Sequence, residues 1–183
     1  MLKTAFTIFL LTGPLLAAEP IGETPEMLAE IKTAERSIDG NFKDISGRDP
    51  MGLIGFTRGG YLTDYGAVFS FEVMLVPVPN VSPFRPKYTD EEKKQLNVRK
   101  RQRLEDLEMK AQEILVAEGC KLTAVPSNQR VALVISLFHF AWEDRSNLPS
   151  QLVMQASRQN LLDRQAARLD KQEFRKTLDV RYF

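Results

Sequence analysis

Apolar residues three and four positions apart, the spacing of a helix with one buried face, mark the first predicted element. They follow Thr24-Pro25-Glu26, where a hydroxyl group caps the helix, proline takes its first position and an acid lies in its first turn. Asp39-Gly40-Asn41 ends the pattern. The apolar positions are Met27, Leu28, Ile31, Ala34 and Ile38. We predict one amphipathic helix between these two signals.

A longer helix is predicted after Thr89-Asp90-Glu91-Glu92, a capping box in which the first and last residues satisfy each other's backbone N–H groups. The helix should run to about Glu118, because Gly119 is a typical helix end. Its apolar stripe consists of Leu96, Leu104, Leu107, Ala111, Ile114 and Leu115. Its basic cluster, which we interpret as a solvated helix face, consists of Arg99, Lys100, Arg101 and Arg103.

Strands are predicted where apolar and polar residues alternate or where β-branched and aromatic residues concentrate. Residues 53–78 form the first such region, and Gly59-Gly60 indicates a bend or bulge within 53–62. From residue 67 one face is apolar, at Phe69, Phe71, Val73 and Leu75. Residues 131–140 are apolar on both faces, which predicts a central strand covered on both sides. Residues 152–156 should be its hairpin partner, and residues 178–183 a closing strand.

The remaining segments predict a linker and two short helices. Four prolines in residues 77–88 exclude a regular ladder or helix, so we expect an extended proline-rich linker there. Residues 158–167 favour a helix, and Asp170 with Glu173 forms a second box-like start for a helix ending near Lys176.

Strands interleaved with helices, without a regular alternation of the two, favour an α+β fold. We predict a single domain over residues 19–183, with a mainly antiparallel sheet and helices packed on one face. The 165 residues of this domain are enough to bury a core.

The first 18 residues have the layout of a cleavable signal peptide. Lys3 supplies the positive start, a short apolar run follows, and small residues precede Glu19-Pro20. The apolar run is shorter than the roughly 20 residues that a membrane span needs. We expect cleavage between Ala18 and Glu19, and a mature protein that is exported, either periplasmic or extracellular.

The charge of the chain limits the kinds of partner it can bind, and its cysteine content limits its disulfides. Lys3 is the only charged residue of the signal segment, so its removal leaves 24 basic and 24 acidic residues. A neutral chain has no field that would draw it to nucleic acid, and we expect no nucleic-acid partner. Apolar runs after residue 18 are too short for a span, so we expect none in the mature chain. Cys120 is the only cysteine, which excludes an intramolecular disulfide.

Candidate chemistry rests on His139 and Cys120. His139 is the only histidine, and it falls within the predicted strand 131–140, on the face of Leu137. Neither a second histidine nor a cysteine pair is available for a zinc site. A Cys120–His139 pair could form only if folding brought the two together. We predict that both are structural, and we expect no catalytic, cofactor-binding or metal-binding residue.

Two stretches carry a resemblance to known sequences: residues 58–73, RGGYLTDYGAVFSFEV, and residues 169–175, LDKQEFR. They resemble an uncharacterised family of exported bacterial α+β proteins with no assigned activity. The resemblance implies a bacterial, periplasmic setting and brings no catalytic residue with it.

Two functional hypotheses lead, and a small-ligand carrier is a third. The first is a non-enzymatic envelope domain that binds another protein or an envelope component, and it rests on the proline-rich linker and the long charged helix. The second is an exported hydrolase that uses acidic residues or a Cys120–His139 pair. An exposed apolar groove would favour the first hypothesis. A deep cleft with converging acids, or Cys120 beside His139, would favour the second.

The signal-peptide interpretation predicts that Glu19 is the mature N-terminus, because Ala17 and Ala18 offer the small side chains that signal peptidase accepts. Intact-mass spectrometry of protein recovered from the exported fraction should show a chain that lacks residues 1–18. A mass that retains Met1, or a protein confined to the cytosol, would contradict this prediction.

Overall fold

A computed structural model describes residues 22–42, 51–77 and 88–183. The predicted signal peptide, with its cleavage site between Ala18 and Glu19, lies outside the described residues. Residues 78–87 of the proline-rich linker lie outside them as well. Within the described ranges the elements are α1 (Pro25–Asn41), β1 (Gly52–Leu62), β2 (Gly66–Met74), α2 (Asp90–Gly119), β3 (Arg130–Leu137), β4 (Gln151–Ser157), α3 (Arg158–Gln165), α4 (Lys171–Thr177) and β5 (Asp179–Tyr182). The single-domain α+β prediction is confirmed.

The five strands form one sheet in the order β1-β2-β3-β4-β5. Three neighbouring pairs are antiparallel, whereas β2 and β3 are parallel. The sheet is therefore mixed: the prediction of a mainly antiparallel sheet holds for three of its four strand pairs, and the β2–β3 pair departs from it. The cause is α2, which carries the chain back across the sheet so that β3 runs in the direction of β2.

The core lies on one face of this sheet. Phe69, Leu133 and Met154 are partners across β2, β3 and β4, and all three are buried against the helices. On the other face of β3, Val134 and Ser136 are only half-buried. Ala132 on that face is buried, so the strand is covered on both sides only in its first half, and its central position is as predicted. The strand also ends at Leu137 and does not extend to residue 140.

The edge strand β1 contains the predicted irregularity, a shift of register between Ile54 and Arg58. Here α1 lies close to the strand. A Cβ atom on Gly59 would come within 2.6 Å of Ile31 and 2.8 Å of Phe69, so only glycine lets helix and strand approach this closely. The backbone N–H of Gly59 also donates to Glu35 Oε1 at 2.7 Å, which covers part of the free sheet edge.

The helices begin where local signals place them. Thr24 caps α1, and Thr89 with Glu92 forms the predicted capping box of α2. The continuous α2 is confirmed, and so are the two short helices. Gly119 is the last residue of α2, and packing requires a glycine there because a Cβ atom would lie 2.3 Å from Leu161 Cδ1 of α3. In the described part of the chain, none of the helices has the length and apolar character that crossing a bilayer demands.

Substitution of Leu107, whose side chain is 0% exposed, tests which face of α2 packs on the sheet. Leu107→Ala should lower the free energy of unfolding by about 2–5 kcal/mol. Arg101→Ala on the exposed face should change it by roughly 0.5 kcal/mol or less. Urea titration of both variants measures the difference, and equal losses would mean that the wrong face has been assigned to the core.

Candidate functional site

The segment between β3 and β4, residues 138–150, packs against the first half of α2. Its residues do not continue the β3 ladder, although Phe138 N still donates to Val73 O at 2.9 Å. The Asn97 side chain of α2 donates to the carbonyl oxygens of Asp144 at 2.9 Å and of Ser146 at 3.1 Å. One helix side chain therefore satisfies two backbone acceptors of a segment that lacks regular structure.

Three ionisable side chains meet beneath this segment: Lys100 of α2, His139 and Glu143. The Lys100 ammonium group donates to Glu143 Oε2 and, at 3.1 Å, to the Phe138 carbonyl oxygen. His139 Nδ1 lies 3.4 Å from Lys100 Nζ and 3.5 Å from Glu143 Oε2. The exposed fractions of the three side chains are 1%, 6% and 2%. We call these residues the buried cluster.

Burial lowers the pKa of Lys100, because removal from water disfavours the ammonium form, while hydrogen bonding to Glu143 acts in the opposite direction. The other carboxylate oxygen, Glu143 Oε1, has no hydrogen-bond partner among the described residues. An ion pair in such surroundings contributes little net stability, but removal of one member leaves a buried charge without compensation. The cluster therefore holds α2 and the segment in one arrangement.

Aromatic rings cover the outer side of the segment. The Trp142 ring stacks on Tyr88, with centroids 4.4 Å apart, and on Phe140, with centroids 5.4 Å apart. Phe138 meets Phe140 edge to face at 4.8 Å. Because Tyr88 directly precedes the N-cap of α2, this stack is a second link between the segment and the start of the helix.

The structure corrects the sequence interpretation of His139. The residue follows the end of β3 and is not on the strand. Its ring does not lie on an apolar strand face beside Leu137 but shares the buried cluster with the Glu143 carboxylate. His139 and Glu143 are only four positions apart, and their contact depends on the turn after β3, in which Glu143 N donates to Phe140 O at 3.1 Å.

Lys100 is the residue that the sequence analysis missed, because it was assigned to a solvated basic face. A signal was present: Lys100 lies four residues after Leu96 and four before Leu104, within the apolar stripe. A lone charged residue inside such a stripe indicates a buried charge with a partner. The partner itself, Glu143, carried no signal in the sequence.

Cys120 lies at the opposite end of α2 from the buried cluster. It is the C-cap residue, is mostly buried, and its carbonyl oxygen is 3.5 Å from Arg158 Nη2. Burial raises the pKa of its thiol, and the Arg158 charge opposes this only in part. Twenty helical residues, about 30 Å, separate Lys100 from Cys120. Cys120 and His139 are therefore not brought together.

The buried carboxylates of Asp39 and Glu118 each accept hydrogen bonds through one oxygen, while Glu118 Oε2 has no partner among the described residues. Asp39 Oδ1 accepts from the Thr57 backbone N–H at 2.9 Å. Glu118 Oε1 accepts from Ser37 Oγ at 2.8 Å and from Lys121 Nζ at 2.9 Å. Among residues 22–42, 51–77 and 88–183, no group of three or more histidine, cysteine or acidic side chains is placed to hold a metal ion.

An open groove of about 420 Å³ lies between α2, α3 and α4. Its apolar lining comes from Met109, Val116, Ala117 and Phe174, and its polar lining from Gln112, Glu113, Arg164, Gln165 and Lys171. The Phe174 side chain is nearly inaccessible, while Met109 is 45% exposed. We call this the α2–α4 groove. Its size and mixed lining are typical of a site that accepts an apolar group with a polar neighbour.

Comparison with protein-family models, curated proteins and solved structures found no match to this chain. The resemblance to exported bacterial proteins therefore stays a prediction.

Removal of the Lys100 charge should be costly because it leaves Glu143 buried and unpaired. Lys100→Ala is expected to lower the free energy of unfolding by about 3–5 kcal/mol. The adjacent Arg99→Ala, at an exposed position, should change it by roughly 0.5 kcal/mol or less. Chemical denaturation of the two variants gives the comparison. Similar small effects would show that Lys100 is solvated after all.

Proposed function

We propose that this chain is an exported protein of the bacterial envelope, periplasmic or secreted, whose α+β domain binds a partner protein and is not an enzyme. The observation that carries the proposal is the α2–α4 groove. An accessible groove with an apolar part favours a binding domain over a hydrolase, and the Cys120–His139 pair required by one form of the hydrolase is not assembled.

The lining of the groove indicates the chemistry of the partner. Met109, Val116 and Ala117 offer accessible apolar surface for an apolar side chain. Arg164 and Lys171 outnumber the single acid, Glu113. A partner that presents an apolar side chain beside a carboxylate therefore complements the groove in both shape and charge. Charge complementarity would contribute mainly to specificity and to the rate of association.

Position 117 allows the proposal to be tested in the native envelope, because Ala117 is exposed and lines the groove. A benzophenone side chain placed at position 117 should give a discrete crosslinked protein adduct upon irradiation of intact cells. The matched control is the same side chain at position 102, where Gln102 is exposed on α2 outside the groove. Adducts shared by the two positions would contradict a specific site.

A charge-reversal pair tests the electrostatic part. Lys171→Glu, in the groove, should weaken the adduct formed from position 117. Lys176→Glu lies on the same helix, is exposed and does not line the groove, so it should leave the adduct unchanged. An adduct that is insensitive to Lys171→Glu, or equally sensitive to both changes, would exclude an acidic partner at this groove.

A further inference from the structure

The two edges of the sheet differ in how their backbone groups are covered. At the β1 edge, the Asp39 and Glu35 carboxylates accept from the backbone N–H groups of Thr57 and Gly59. At the other edge, β5 is the outermost strand, and β4 is the only described strand that pairs with it. An uncovered strand edge is a template for a further strand. We propose that β5 pairs antiparallel with β5 of a second copy of this chain, so that two chains form a symmetric dimer with one continuous sheet.

Val180 and Tyr182 present their backbone groups to this open edge. Gln151 and Phe183 exchange hydrogen bonds, in which the Phe183 N–H donates at 3.0 Å and the Gln151 N–H at 3.3 Å. Hydrogen-bonded and non-hydrogen-bonded pairs alternate along an antiparallel ladder, so Arg181 also directs its backbone groups at β4. The N–H and C=O groups of Val180 and Tyr182 therefore point away from β4, where a second strand can meet them.

One pairing register brings these groups together and also matches the charges of β5. When Val180 lies opposite Val180 of the second copy, the two residues exchange hydrogen bonds, and Tyr182 lies opposite Leu178. In this register, Asp179 of each copy lies directly opposite Arg181 of the other. Cross-strand pairs of opposite charge stabilise a sheet, so the match occurs on both sides of the symmetry axis.

The neighbouring registers bring like charges together. If the strands shift by one hydrogen-bonded step, Arg181 lies opposite Arg181 of the second copy. The shift in the other direction places Asp179 opposite Asp179. Like charges directly opposite each other are destabilising, so the order of charges in β5 selects the register centred on Val180.

Both charges lie on the face of the sheet away from the helices and remain accessible. Arg181 Nε and Nη2 donate to Asp179 Oδ1 and Oδ2 of the same chain at 2.9 and 2.8 Å. The Arg181 side chain is nevertheless 62% exposed, and a guanidinium group has further N–H donors for a second carboxylate. In the dimer each guanidinium group therefore lies between two carboxylates.

The helix side of β5 supplies an apolar contact. Tyr182 pairs with the buried Leu152 on this side, and its hydroxyl group donates to Glu108 at 2.9 Å. The Tyr182 residue is still 43% exposed, and Leu178 is half-buried. Pairing brings these two side chains together across the new strand pair and removes apolar surface from water.

Charge reversal in the mature protein tests this dimer, and sedimentation velocity over a range of protein concentrations measures it. The wild type should form a concentration-dependent dimer. Asp179→Arg or Arg181→Asp alone sets like charges opposite each other and should raise the dimer Kd by about tenfold or more. Arg58→Asp, the same charge change at an exposed position of β1, should leave the Kd unchanged.

Mixing the two single variants provides the decisive comparison. An equimolar mixture of Asp179→Arg and Arg181→Asp should form heterodimers, because every cross-strand pair then joins opposite charges. The double variant that carries both substitutions should regain the homodimer for the same reason. Far-ultraviolet circular dichroism checks that each variant is folded. A monomeric wild type, single variants that dimerise as tightly as the wild type, or a mixture without heterodimers would overturn the proposal.

Discussion

The ammonium group of Lys100 must find its partners inside the protein, because α2 brings it to the face that packs on the sheet. Water does not reach this position, and an ammonium group buried there without hydrogen-bond partners would strongly destabilise the folded state. The segment after β3 meets this requirement with the Glu143 carboxylate and the Phe138 carbonyl group. The conformation of residues 138–150 therefore depends on one charge that lies on the buried face of an amphipathic helix, where apolar residues are usual.

The same helix separates two regions with different chemistry. Its first half carries the buried cluster and meets the aromatic stack through Tyr88, while its second half forms one wall of the α2–α4 groove. Between them, Leu107 and Ala111 are packed into the core without exposure. Cys120, at the end of the helix, is held by this packing and by Arg158, far from His139. The groove is therefore accessible to solvent, whereas the cluster is buried.

The sequence alone was sufficient to predict the features that depend on residues close together in the chain. The capping residues Thr24, Thr89 and Asp170 act on backbone groups three positions away, so the helix starts could be predicted. The alternation around Phe69 and Phe71 likewise reports burial along a single strand. The irregularity predicted within residues 53–62 lies between Ile54 and Arg58, at Gly55, and not at the Gly59-Gly60 pair that suggested it.

Contacts between distant residues could not be predicted in this way. The parallel pairing of β2 with β3 depends on how α2 crosses the sheet, and nothing in either strand encodes it locally. Lys100 and Glu143 are 43 residues apart, so only the gap in the apolar stripe hinted at their contact. The α2–α4 groove is likewise formed by residues from three helices.

The most direct test of the central role of the buried charge is a double-mutant cycle on Lys100 and Glu143, measured by chemical denaturation at pH 8. We expect Lys100→Met and Glu143→Leu each to destabilise the protein strongly. The double variant, which leaves no unpaired charge, should be nearer to the wild type than either single change, with a coupling energy of roughly 2–3 kcal/mol. Additive effects of the two substitutions would contradict the account, because they would show that neither side chain depends on the other.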